Sequence, residues 1–353
     1  MLILSFVFII LIILSIFDLV DVSQVYKDII LIGAAIALVI LAACRVNDRD
    51  YYNYIEIFEL SPNWVSGLSF SNELHGELGY IFINSFVKSI GLGYMTVFAL
   101  VAAFSVSLNL IFYRKNTNFA LIALLIYFSH VFLLRDMMQI RSGLAASISL
   151  FALCYVESRR FLKFSTLILI ASLFHSGVLL LFIGYFLYPY FVRYNWLKYV
   201  MILLGFTLGL ILTQEFFEFL FSSVLNIPAV STYLYESEYF SSLGLLNPVL
   251  IKNVILLGVL IYFSDDIVEY VPNFNVLLMF FAIGIFWLSA FNNFSIVAAR
   301  IATYFSNVEH ILLPSLFYLK VNKFVLWFVV VIYCIYMFSS KFQIFEDLTF
   351  IFL

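Results

Sequence analysis

Residues 94–134 read YMTVFALVAAFSVSLNLIFYRKNTNFALIALLIYFSHVFLL, and this stretch decides the fold. Two apolar runs, Tyr94–Tyr113 and Phe119–Leu134, are separated by a short polar step that holds Arg114 and Lys115. Each run is close to the length a helix needs to cross a bilayer, about 20 residues with a range of about 17–25. The apolar residues are continuous, whereas a membrane β-barrel alternates apolar and polar over segments of about ten residues. In lipid, every backbone N–H and C=O must be satisfied inside the protein, and a helix does that within one segment. The stretch therefore reads as two membrane helices joined by a basic turn.

The pattern continues outward through the whole 353-residue chain, from Met1–Phe17 and Ile29–Cys44 to Phe324–Phe338. It predicts an all-α, polytopic integral membrane protein with about 10–12 transmembrane helices. Tyr80–Ile90 is short and reads as an interfacial or half-crossing helix. Ile301–Phe317 is a weaker span because it carries Glu309 and His310. Composition agrees: 65% of residues are hydrophobic and 11% charged, against roughly 45–50% and about 25% in soluble domains. Soluble enzymes, nucleic-acid binders and disordered proteins are excluded, and a net charge of -3 carries no message about polyanionic partners. Cys44, Cys154 and Cys334 lie in apolar runs, with neither a disulfide framework nor a metal spacing. The first apolar run lacks a basic n-region and a clear cleavage site, so it reads as a retained span. With no linker or soluble insert, 1–353 is expected to be a single membrane domain. No internal repeat is evident, which weighs against a transporter built from duplicated halves.

Basic residues in short loops mark the cytoplasmic side. Arg114-Lys115 and Arg159-Arg160 with Lys163 both carry that mark, and two spans separate them. The segment from Arg135 to Arg141 then lies outside, as does Arg45–Leu78, which holds Asp48, Asp50, Glu56, Glu59, Glu73 and Glu77. Arg193 and Lys198 also read as cytoplasmic, so Phe164–Tyr188 must enter and leave on one side. A re-entrant bend near His175-Ser176-Gly177 meets that need. The acidic Thr213–Pro248 segment, with Glu215, Glu218, Glu236 and Glu238, and the later Arg300 then fall outside as well.

An ionisable residue at membrane depth costs roughly 2.5–3.5 kcal/mol on insertion scales, so each one needs a reason. The bland reason is a buried pair or a snorkelling side chain, and it suits Glu309 and His310. Arg141 is followed by the small-residue run Ser142-Gly143-Leu144-Ala145-Ala146-Ser147, which lets another element approach closely. Arg135 lies six residues earlier, about 240° around a continuous helix, and would share a face with Gln139 and Ser142. The two arginines can meet one ligand only if the helix begins after Arg135. Arg300 opens its own span, with Tyr304 one turn on. Arginines at outer helix entrances suit an anionic lipid headgroup, a diphosphate above all, because the guanidinium fork pairs with phosphate oxygens. His175, alone in an apolar run, is open to roles as a general base or a donor to phosphate.

Asp50, Tyr54, Glu77 and Tyr80 put carboxylates beside aromatics, which is what a sugar needs. A tyrosine-rich interfacial belt gives the same composition. Asp48-Arg49-Asp50 forms a D-x-D, a pattern too short to carry a metal assignment. No Walker A, H-E-x-x-H, G-x-S-x-G or Cys/His metal cluster occurs.

The ordered set is Asp50 with Tyr54, then Glu77-Leu78-Gly79-Tyr80, then Arg135-Asp136-Met137-Met138-Gln139-Ile140-Arg141. Leu173-Phe174-His175-Ser176 and Arg300-Ile301-Ala302-Thr303-Tyr304-Phe305 follow. This set resembles the EpsG family of bacterial exopolysaccharide proteins, relatives of the Wzy O-antigen and capsule polymerases. The Gln-Ile-Arg helix with the Phe-His-Ser element is its most specific part, and Ser142 stands where a Gln is expected in many relatives. The resemblance implies a GT-C-like membrane glycosyltransferase of the bacterial inner membrane, with its site towards the outer, periplasmic side. Its substrate would be an undecaprenyl-diphosphate-linked oligosaccharide. Repeat units would be joined by attack of an acceptor hydroxyl on the donor chain, without cofactor or metal. Arg141, Arg300 and Arg135 would hold the diphosphate. His175, Glu77 or Asp50 would take the acceptor proton. Tyr54, Tyr80, Gln139 and Tyr304 would meet sugars. Membrane lipid, a flippase and a chain-length regulator are the implied partners, and nucleic acid is not. A polysaccharide ligase of similar chemistry, a lipid-linked oligosaccharide flippase and a membrane acyltransferase are the rival readings.

Overall fold

The computed structural model describes residues 1–65, 74, 76–194, 196–213, 215–216 and 242–351. Glu73, Glu218, Glu236 and Glu238 lie outside the described residues. The chain is an all-α, multi-pass membrane protein. Among the described residues, three helices are long and apolar enough to cross a bilayer and seven more are apolar but shorter. The exception to helix is a two-residue antiparallel bridge, β1 (Arg45–Val46) with β2 (Thr349–Phe350), in which Arg45 pairs with Phe350.

The residues divide into two compact units, and each is described by itself. The first comprises Met1–Ala152, Leu162–Ser176 and Leu313–Leu353, and the second Leu153–Phe161 and Gly177–Leu312.

In the first unit, α1 (Leu2–Ser15), α2 (Gln24–Ala43), α3 (Tyr51–Leu60), α4 (Leu78–Ser89), α5 (Tyr94–Asn116) and α6 (Ala120–Tyr127) follow in order. Helix α6 runs on as a π-helical stretch, Phe128–Asp136, before α7 (Ile140–Leu153) begins. A π segment of nine residues is unusual, because such turns normally appear singly and often at functional sites. Helix α6 starts where it does because Asp18, far away in sequence, accepts from the Leu121 and Ile122 N–H groups at 2.8 and 3.0 Å. That carboxylate satisfies donors that a helix start otherwise leaves open. Helices α2 and α5 run antiparallel. Asp28 near the start of α2 meets Arg114 near the end of α5 at 2.6 Å, and Arg45 just past α2 lies over Phe98 near the start of α5, 4.2 Å from the ring centre. Helix α4 has 12 residues, about 18 Å at 1.5 Å per residue, and falls short of a crossing. Helix α8 (Phe161–Ser172) follows, and α15 (Lys323–Ser339) packs against the π segment. The Asn322 side chain caps α15 by accepting from Phe324 and Val325 N–H, as asparagine does at helix starts.

The second unit holds α9 (Phe182–Arg193), α10 (Leu197–Ile211), α11 (Pro248–Tyr262), α12 (Phe274–Ala290), α13 (Ser295–Ser306) and α14 (Glu309–Ser315). Helix α12 is buried on nearly every side and packs against α9, α10, α11 and α13. Gly205 and Gly209 of α10 face it four residues apart, where a side chain would collide with Ser289 and the Phe286 backbone. Small residues at this spacing let helix backbones close up in a membrane. Asn247 caps α11 by accepting from Val249 N–H, with Pro248 as first helical residue, a position where its missing N–H is no loss. Expected span Ile301–Phe317 is broken at Asn307, between α13 and α14. Glu309 is 1% exposed and takes Lys252 of α11 at 2.7 Å. This is the buried pair expected for an acid at that depth.

The bend expected near His175 coincides with a break in the helix. Helix α8 ends at Ser172, and a 3-10 turn, Ser176–Leu181, leads into α9. Within the second unit Phe161 packs on Phe182, Tyr185 and Phe186, with ring centres 6.2, 5.4 and 6.1 Å apart. The chain has therefore doubled back between residues 161 and 182.

Candidate functional site

The described geometry centres on Arg141, in the first turn of α7. Its Nη1 donates to Glu77 Oε2 at 2.6 Å, and the two side chains are 28% and 23% exposed. The guanidinium stands 5.7 Å from the Tyr54 ring centre and 5.9 Å from that of Tyr80. Those rings meet edge to face at 5.6 Å. Four residues from three sequence regions thus share one place, and a cation held by two ring faces and a carboxylate is fixed in direction.

Tyr54 and Tyr80 are buried, at 3% and 0% exposure. They belong to the apolar cluster of Tyr51, Phe58, Phe98, Val101, Ile140 and Leu144, with Phe174 packed against it. The structure therefore places them beneath Arg141. Burial pushes the Tyr54 phenol up to about 12, Asp50 adds to the rise, and Arg141 opposes it. The Tyr80 phenol is raised as well, by burial first and by Tyr54 second. Both hydroxyls stay protonated near neutral pH.

Gly79 ties the His175 segment to this place. Its N–H donates to the Leu173 carbonyl at 2.8 Å, and a Cβ on Gly79 would stand 2.8 Å from that oxygen and 2.9 Å from Leu173 Cβ. Glu77 lies two residues before this contact and His175 two residues after it. The Glu77–Tyr80 and Leu173–Ser176 elements, about a hundred positions apart in the chain, are joined through one glycine. His175 is half-buried. Asp50 precedes the first residue of α3, its N–H donating to Asp48 Oδ1 at 3.0 Å.

Arg135 sits differently from Arg141. Helix α7 does begin after it, yet Arg135 is 6% exposed, and its Nη1 bonds Gln139 Oε1 and, at 2.9 Å, Ser142 Oγ. The shared face read from the six-residue spacing is realised as these bonds. In the second unit, Arg300 is exposed on α13 and Tyr304, one turn on, is 2% exposed.

Two groups escaped the sequence reading. Asp136 is 2% exposed and accepts from Ser105 and, at 2.7 Å, from Tyr127. Ser105 also meets Ser147 at 2.8 Å, and Asn109 donates to Ser147 at 2.8 Å. The signal was present as Ser105 with Asn109 and Gly143 with Ser147, two i, i+4 pairs on apolar helices. The second group is Arg45, fully buried against Asp48 at 2.9 Å. Asp48 also receives the Asp50 N–H, so both its oxygens are engaged. Among the described residues, no three His, Cys, Asp or Glu side chains gather so as to hold a metal ion.

Many apolar helices, with an arginine, a carboxylate and buried tyrosines gathered at one helix entrance, define a multi-pass membrane protein. The chain belongs to the EpsG family, whose model matches residues 28–347, and so to the membrane proteins of polysaccharide biosynthesis. It is 25% identical over 321 residues to the amylovoran biosynthesis protein AmsC of Erwinia amylovora, covering 85% of this chain and 83% of that one. No solved structure matches the chain.

Proposed function

We propose that the protein is a polysaccharide polymerase of the bacterial inner membrane, a GT-C-like glycosyltransferase that joins undecaprenyl-diphosphate-linked repeat units on the outer side. The observation that carries this reading is the half-exposed Arg141–Glu77 pair resting on Tyr54 and Tyr80. An acceptor hydroxyl attacks the anomeric carbon of the growing chain, the glycosidic bond to the diphosphate breaks, and undecaprenyl diphosphate leaves. That leaving group needs its charge stabilised in the transition state, and a preorganised guanidinium does this in a site shielded from water. The diphosphate competes with Glu77 for Arg141 and frees the carboxylate beside the reacting centre. Glu77, or His175 held nearby through Gly79, then takes the hydroxyl proton, with Asp50 as the third candidate base. Arg300, on α13 of the second unit, is a separate candidate cation for a diphosphate. Arg135, bonded to Gln139 and Ser142, supports the start of α7 from beneath. Tyr304, one turn on from Arg300, is the candidate sugar contact of that helix.

The length of α5 is consistent with the orientation read from the basic loops. Tyr94, at one end of α5, meets Tyr51 of the aromatic cluster at 3.0 Å between hydroxyls, while Arg114 and Lys115 mark the other end. Twenty residues at 1.5 Å separate the ends by about 30 Å, the thickness of the hydrocarbon core. A cytoplasmic Arg114-Lys115 therefore goes with an outer Arg141.

The test is chain growth by purified protein given lipid-linked repeat units and no nucleotide sugar. Growth is expected for the wild type, and Glu77→Gln and His175→Gln rank the two candidate bases by their residual rates. A requirement for sugar nucleotide would overturn the lipid-donor reaction. Transfer of finished polymer to a different acceptor, without lengthening, would identify a ligase instead.

A further inference from the structure

A groove of about 420 Å³ opens between α2 and α5, lined by Leu31, Ile32 and Ala35 on one side and Ser107, Leu110 and Ile111 on the other. Asp28, Arg114 and Lys115 close one end. The groove is graded. Its walls are apolar, with Ile32 62% and Ile111 46% exposed, and its polar end sets two cations against one carboxylate. Arg114 binds Asp28 through Nε at 2.6 Å and Nη2 at 3.4 Å yet remains 39% exposed, so its other edge stays accessible to a further anion. From Asp28 to Ala35, or from Ser107 to Lys115, the groove extends about 10–12 Å along the helices. That shape matches a headgroup followed by the upper part of an acyl chain.

We propose that this groove is a binding site for an anionic phospholipid, with the headgroup phosphate on Arg114 and Lys115 and an acyl chain between α2 and α5. Basic pockets between transmembrane helices on the cytoplasmic side select anionic headgroups. Arg114 and Lys115 end α5 about 30 Å along that helix from its Tyr94 end, which packs on the aromatic cluster beneath Arg141. A lipid seated here is therefore a structural ligand of the α2–α5 pair and is distinct from the diphosphate substrate.

The experiment is native mass spectrometry of the full chain, offered equal amounts of phosphatidylglycerol and phosphatidylcholine with identical acyl chains. The wild type is expected to retain phosphatidylglycerol roughly tenfold over phosphatidylcholine, from two basic side chains at one anionic headgroup. Arg114→Gln with Lys115→Gln is expected to bring the two lipids level. Lys115→Gln alone leaves the Asp28 pair intact and should lose part of the preference. Ile111→Trp fills the groove, keeps every charge and should lower retention of both lipids. Equal retention by the wild type, or preference unchanged in all the variants, overturns the site. Displacement of phosphatidylglycerol by undecaprenyl phosphate at equal concentration overturns the assigned occupant. Chain growth is not read, so either failure leaves the polymerase reading standing.

Discussion

Two arginine–carboxylate pairs flank the same tyrosine, and they differ in one respect. Arg45 and Asp48 are 2.9 Å apart and wholly buried. Arg141 and Glu77 are 2.6 Å apart and about a quarter exposed. The buried pair is surrounded by further bonds, since Arg45 also donates to the Ala42 carbonyl at 2.5 Å and rests on Phe98. Burial raises the Asp48 carboxyl above the usual range despite the arginine beside it, a measure of how dry the site is. The Arg141–Glu77 pair is partly exposed and rests on the Tyr54 and Tyr80 rings, with the Tyr54 hydroxyl also bonded to Arg141. A buried ion pair has nowhere to go, whereas an open one exchanges partners when a stronger anion arrives. The proposed chemistry therefore rests on Arg141 and the scaffolding on Arg45, although both are arginines beside acids on the same aromatic cluster.

The largest effect that tests this contrast is on stability. Asp48→Ala leaves a guanidinium buried without its counter-charge and is expected to lower stability by about 3–5 kcal/mol. Replacing Arg45 and Asp48 together by Met and Leu should restore most of the loss, because an apolar pair carries no desolvation cost. Unfolding in detergent measures both, and an unchanged midpoint for Asp48→Ala would break the distinction. Next comes Arg141→Ala. Its expected cost is roughly 10²–10³ in the rate of chain growth, by analogy with removal of one oxyanion donor. Its unfolding should shift by no more than about 1 kcal/mol, the range for exposed pairs. A full polymer ladder from this variant in a polymerase-null host would remove Arg141 from the reaction.

The contrast also shows what was legible in the residues. The apolar runs gave the helices, since lipid leaves a backbone no other choice. Glu77, Tyr80 and Arg141 stand out in the residues because each is a polar or aromatic exception in an apolar setting, and the structure gathers them, with Leu173 joined through the Gly79 N–H. Depth was not legible. Tyr54 and Tyr80 read as sugar contacts but are packed under a cation, and a tyrosine ring serves either role with the same letters. Arg45 read as one charge among many in an acidic outer segment, yet its i+3 partner Asp48 allows it to be buried. Asp136 went unnoticed because its partners come from α5 and α6, and no spacing along one helix reports on a second. The break at Asn307 was hidden because Ile301–Phe317 is apolar enough to read through.

A middle-sized effect is expected at Gly79. Its added Cβ in Gly79→Ala would press on the Leu173 backbone, and overpacking of this kind costs about 1–3 kcal/mol. The damage should fall on activity as well, because the His175 segment must shift relative to Glu77. If Gly79→Ala grows chains at the wild-type rate while losing stability, the glycine joins two elements without positioning them for chemistry.

The smallest expected effect separates ring from hydroxyl beneath the site. Arg141 stands over the Tyr54 face at 5.7 Å, and a partly desolvated cation–π contact is worth about 0.5–1 kcal/mol. Tyr54→Leu removes the face and should slow chain growth roughly two- to fivefold at saturating substrate. Tyr54→Phe keeps the face and loses the hydroxyl that is bonded to Arg141, so its rate should fall less than that of the Leu variant, which loses both. The expected order is wild type, then Phe, then Leu. A Phe variant as slow as the Leu variant would instead assign the contribution to the hydroxyl. Arg141 would then be held chiefly by a hydrogen bond, and the open pair would be tethered more like the buried one.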